Sequence, residues 1–69
     1  MNKDRIKEFF HLTLIDISEG ASLDELHMIL KMYEDEEDFE ACAGILKAIN
    51  TTKYQTIQNI NETRDDRSN

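Results

Sequence analysis

Not one proline and not one valine occurs in the 69 residues of this chain. Nothing in it forces a helix to break, and little of it favours a strand over the helix formers Leu, Ile, Glu, Lys and Ala. Helix boundaries must then be set by the two glycines, by polar caps and by clustered charge. An all-α fold is the expectation, and the apolar periodicity divides it into three helices.

In the first segment Ile6, Phe9, Phe10, Leu14 and Ile17 recur at intervals of three and four, one stripe of a helix from about Lys3 to Ser18. Gly20 follows, where a left-handed residue can satisfy the last carbonyls. Ser22-Leu23-Asp24-Glu25 has the capping-box spacing and should start a second helix, whose stripe is Leu23, Leu26, Ile29, Leu30 and Tyr33. That helix runs into six acids between Glu34 and Glu40. They repel along a continued helix but suit the positive N-terminal end of a new one. A turn is therefore expected there, with Asp35 as the cap.

From Glu36 onward Phe39, Cys42, Ala43, Leu46 and Ile49 form a third stripe, and Tyr54, Ile57 and Ile60 return to the same face. One long helix from about Glu36 to Asn61 fits that phase. The alternative stops at Asn50 and restarts at Thr52, since Thr52-Lys53-Tyr54-Gln55 also has capping-box spacing and paired threonines suit a helix interior poorly. The sequence thus describes a small helical bundle over residues 1–61. A short first helix precedes an antiparallel helical hairpin with a long last arm, and the apolar-free tail 62–69 is expected to be disordered.

A chain this short buries about 60% of its unfolded surface, so it needs support from a disulfide, a metal or self-association. Cys42 is the lone cysteine and makes no internal disulfide; on the core stripe it reads as a small buried hydrophobe, not a nucleophile. Fifteen acids against eight Lys plus Arg give a net charge of −7, the opposite of what direct binding to a phosphate backbone requires. Asp4, Glu8, His11 and Asp16 interrupt the first apolar stretch, so it is neither a secretory signal nor a membrane span. A cytoplasmic location with no membrane contact is the expectation.

Some residues fall outside the core stripes. Leu12 and Ile15 lie on the far side of the first helix, and Met28 and Met32 sit one turn apart on their own face of the second. These four, with Tyr54, Ile57 and Ile60, are the expected oligomer interface, since methionine adapts readily to interfaces. The acids Glu34, Asp35, Glu36, Glu37, Asp38 and Glu40 are the candidate surface for a protein partner with a basic face, or for a DNA mimic that occupies a DNA-binding groove. Glu8 with His11, and Asp24 with His27, have the spacing of the Glu-x-x-His element of di-iron helix bundles, but they point away from the apolar stripes. No metal, cofactor or catalytic residue is expected. The chain has no glycine-rich phosphate loop and no Ser, Cys or Lys with an activating partner.

Leu23, Leu26, Met32, the run Asp38-Phe39-Glu40-Ala41-Cys42-Ala43 and Ile49 together resemble the UVR motif, the short helical hairpin of the excinuclease B and C subunits. The likeness covers residues 23–49, with Gly44, Leu46 and Lys47 standing where the motif carries leucine, arginine and aspartate. It implies a helical hairpin and a protein-binding role. The expected function is a non-enzymatic acidic protein-binding module, an oligomeric regulator or inhibitor of a larger protein machine. Phage-encoded modulators, including anti-CRISPR-like inhibitors, share its size and charge. The alternatives are an oligomeric small-ligand binder with pockets between subunits and the DNA-mimic inhibitor.

Overall fold

The structure is a computed structural model that describes residues 1–52. Tyr54, Ile57, Ile60, the 62–69 tail and the far end expected for the last helix lie outside the described residues. Among the described residues there are three helices and no strand: α1 over Lys3–Ser18, α2 over Leu23–Asp35, and α3 from residue 39 through 52.

Each boundary has a local cause. The Asn2 side chain opens α1 by accepting hydrogen bonds from the Asp4 and Arg5 N–H groups at 2.9 and 3.3 Å. Its end is a Schellman turn on Gly20, whose φ is +98°. There the N–H of Gly20 reaches the Ile17 carbonyl at 3.1 Å and that of Ala21 reaches Asp16 at 3.0 Å. Ser22 Oγ then caps α2 by accepting from the Glu25 N–H at 3.1 Å. The end of α2 repeats the Schellman pattern, from Glu37 to Glu34 and from Asp38 to Tyr33, both at 2.9 Å. Here the left-handed residue is Glu37, at φ +58°.

That second turn corrects two expectations. The last helix begins at residue 39, not at Glu36, and its cap is Asp38, not Asp35, which is the final residue of α2. Asp38 Oδ1 accepts from the Ala41 N–H at 3.3 Å, and its carbonyl accepts from Cys42 at 3.2 Å. Residues 36–38 are consumed by reversing the chain. Beyond that point α3 continues through Asn50, Thr51 and Thr52, so the alternative stop at Asn50 does not occur. The two threonines fit because their hydroxyls donate back to the Lys47 and Ala48 carbonyls, at 2.8 and 3.1 Å.

The contacts fix an up-down-up order. Phe9 meets Tyr33 edge-on with ring centroids 5.3 Å apart, whereas Ile17 and Ala21 share a pocket with Leu26, so α1 and α2 are antiparallel. Leu30 accepts the Cys42 thiol's hydrogen bond at 3.9 Å, and Leu23 and Leu26 lie beside Ile49 and Thr52, so α2 and α3 form the expected antiparallel hairpin. The core is Leu26, Leu30, Cys42, Ile45 and Ile49, with Phe9, Ile17, Ala21 and Tyr33 packed against it.

The core face of α3 is displaced from the stripe expected of it. Ala41, Cys42, Ile45, Ala48 and Ile49 are buried, while Phe39 is 57% exposed and Leu46 is also exposed. Gly44 supplies the reason. A Cβ there would stand 2.4 Å from the Ile6 carbonyl oxygen and 2.8 Å from the Phe10 nitrogen. Such close approach of α1 demands small residues along that side, so Ala41, Gly44 and Ala48 face inward and rotate Phe39 and Leu46 out. Leu23 and Ile29 likewise lie at the edge of the α2 stripe and are exposed.

Candidate functional site

The six acids of the 34–40 run divide into two sets. Arg5, on α1, forms a two-pronged ion pair with Asp38, one prong through Nη1 and the other from Nη2 to Oδ2 at 2.6 Å, and its Nη1 also reaches Glu40 Oε1 at 3.3 Å. The Glu40 carboxylate accepts from the Asn2 backbone N–H as well. The hydrogen bond from Arg5, helped by the Ala41 N–H, holds the Asp38 carboxyl below the usual aspartate value although desolvation opposes it; the Arg5 guanidinium is raised in turn, chiefly by Asp38. Asp38 and Glu40 therefore tie α1 to the start of α3. Glu34, Asp35, Glu36 and Glu37 remain exposed, and of the original surface they are the acids turned fully to solvent.

The four apolar residues outside the core stripes are all exposed: Leu12, Ile15, Met28 at 73%, and Met32. The structure brings two of them together across the α1/α2 seam. Leu12 and Met32 border a groove of about 300 Å³ whose floor includes Phe9, Thr13, Tyr33 and Ile45. Asp16 and Ile29 belong both to this groove and to its continuation towards the α1–α2 turn, an opening of about 360 Å³ lined also by Glu19 and Glu25. One half of the seam is thus apolar and the other acidic. Among the described residues no Lys or Arg lines either half. Ile15 and Met28 stand one turn away on their own helices, outside the lining.

The opposite side of α1 has the reverse character. Lys3, Lys7 and Lys47 surround Ile6 in a notch between α1 and α3, and the Lys47 ammonium lies 5.1 Å from the centre of the Phe10 ring. Glu8, His11, Asp24 and His27 are exposed, and among the described residues no three His, Cys, Asp or Glu side chains converge as metal ligands. Cys42 is buried, and its thiol is pushed up first by desolvation and then by the charges of Glu34 and Asp38. A thiol so placed is a poor nucleophile.

Comparison with known protein families, characterised proteins and solved structures finds no match to this chain. Function must be argued from the surface itself. Sequence reasoning found Leu12 and Met32 but missed Asp16, Glu19, Glu25 and Ile29, which complete the seam. A signal for part of it is present, because Leu12 and Asp16 on one flank of α1 and Glu19 at its C-cap follow one another at intervals of four and three.

Proposed function

We propose that the chain is a non-enzymatic, acidic protein-binding module, a regulator or inhibitor that acts by occupying a surface of a larger protein assembly. The observation that carries this reading is the α1/α2 seam, where exposed large apolar side chains border a groove that is acidic along half its length. An apolar strip with a charged rim is the usual composition of a recognition surface. The likeness of residues 23–49 to the UVR hairpin, itself read as a protein-binding unit, supports the same class. Nothing in the described surface offers a nucleophile beside a base, so binding is the economical account of what the exposed groups do.

The test is site-resolved crosslinking in the native host. A photoreactive benzoyl-phenylalanine at position 32 should yield a discrete protein adduct, and the same group at position 3, in the lysine notch, should not. Absence of any adduct at positions 12, 28 and 32, with the protein folded and expressed, rejects the reading.

A further inference from the structure

Resting on the protein-binding reading, we infer that the α1/α2 seam is a receptor groove for one basic amphipathic helix of a partner protein, docked with its cationic end beside the α1–α2 turn. Three features of the seam select that occupant. The first is shape: two antiparallel helices with an open seam leave a trough parallel to their axes, and α2, at 13 residues, gives it a length of about 20 Å, room for about three to four turns of a third helix. The second is the graded chemistry of the trough. Leu12, Ile29 and Met32 border the end near Tyr33, suiting apolar anchors at i, i+3 or i+4 and i+7, while Asp16, Glu19 and Glu25 line the end near Gly20.

The third feature is charge. With no cation in the lining among the described residues and a net charge of −7 on the chain, a second copy brought face to face with this seam would set acid against acid. A Lys- or Arg-bearing helix meets complementary potential along half the trough and apolar side chains along the rest. The graded lining also fixes direction: reversing the helix would put its charged end over Leu12 and Met32, and its apolar end over three carboxylates. Polarity of docking is therefore part of the inference.

The experiment uses the full chain and a synthetic probe, a fluorescent helical peptide of about 14 residues, a length taken from the same rise per residue. Its leucines stand at i, i+4, i+7 and i+11, and its lysines are concentrated in one half. Controls are the scrambled peptide of equal composition and the version with glutamate for lysine. Fluorescence anisotropy should show the striped basic peptide binding at least tenfold more tightly than either control. Asp16→Lys with Glu25→Lys, and separately Met32→Glu, should each weaken it at least tenfold without altering the circular-dichroism melt. Amide shift mapping on the wild-type protein, which needs no variant to fold, should place the perturbed residues at Leu12, Asp16, Glu25, Ile29 and Met32.

Equal binding of the scrambled peptide, undiminished binding by both variants, or shifts centred on Lys3, Lys7 and Lys47 would each overturn the inference. If the peptide does not bind but Met32→Glu dissociates a self-assembled form, the seam belongs to a second copy; the helix proposal then falls while the protein-binding reading stands. If crosslinking from positions 12, 28 and 32 also fails, both fall.

Discussion

Glu37 carries the backbone conformation that Gly20 carries one turn earlier in the chain, and it does so with a side chain. At φ +58° an L-residue pays of order 1 kcal/mol or more that glycine does not. Glu37→Gly should therefore raise stability by about 0.5–1 kcal/mol after the extra chain entropy of glycine in the unfolded state is deducted. In a domain of this size that is a rise of roughly 2–8 °C in melting temperature. An unchanged or lower Tm would show that Glu37 makes a compensating contact. Gly44 is the converse case. In an open helix, alanine there would gain about 1 kcal/mol in propensity, but its Cβ would overlap the backbone of Ile6 and Phe10, atoms that cannot swing aside. Gly44→Ala should lower stability by about 1–3 kcal/mol by prising α1 from α3, read as a fall in the denaturant midpoint. Gly20→Ala meets no atom within 4 Å, so its cost should come from backbone strain alone.

At the scale of elements, the ion pair between Arg5 and Asp38 joins the first turn of α1 to the cap of α3, and it gives that junction a pH dependence. Asp38 is held below the ordinary aspartate value of 3.8 by the guanidinium, so the folded state binds its proton less readily than the unfolded state does. The resulting stability is present above about pH 4 and is lost as pH falls through the lowered folded pKa. Asp38→Asn keeps a good cap but removes the charge. The variant should start from a lower Tm at pH 7 and lose less of it between pH 5 and 2 than wild type does; parallel acid profiles would show that the pair contributes nothing to folding. The same junction shows what the sequence could and could not disclose. Gly20 and Ser22 were legible because each is the residue type that its local geometry prefers. The start of α3 was not, since the acidic run offers two equivalent cap candidates, Asp35 and Asp38, and the position of Arg5 on another helix is what distinguishes Asp38. The inward face of α3 was hidden for a related reason: Ala41, Gly44 and Ala48 are selected by how near α1 lies, not by hydrophobicity, and periodicity of apolar residues points instead to Phe39 and Leu46. In the seam the apolar half was visible from Leu12 and Met32, whereas the acidic half depends on which side chains two separate helices bring into one trough.

Considered as a whole, the molecule sets two long-range tendencies against each other. Its buried hydrophobic residues include Ala41, Cys42 and Ala48, which contribute little area, so the bundle gains from covering Leu12, Ile15, Met28 and Met32. A second copy could cover them, but two chains at −7 repel. Added salt removes that repulsion, because the screening length shortens from about 10 Å at 0.1 M to about 3 Å at 1 M. Self-association should therefore strengthen with salt. Binding of a basic helix, by contrast, draws on attraction between unlike charges and should weaken over the same range. Light scattering at fixed protein concentration should show the mean mass rising between about 0.02 and 1 M NaCl, with Met32→Glu suppressing the rise, while the anisotropy of the basic peptide falls. Two curves of opposite slope through one set of residues would place both processes on the α1/α2 seam. A mass that stays at the monomer value throughout would mean that the exposed apolar residues do not cohere into a self-complementary face, and a peptide affinity indifferent to salt would remove Asp16, Glu19 and Glu25 from recognition.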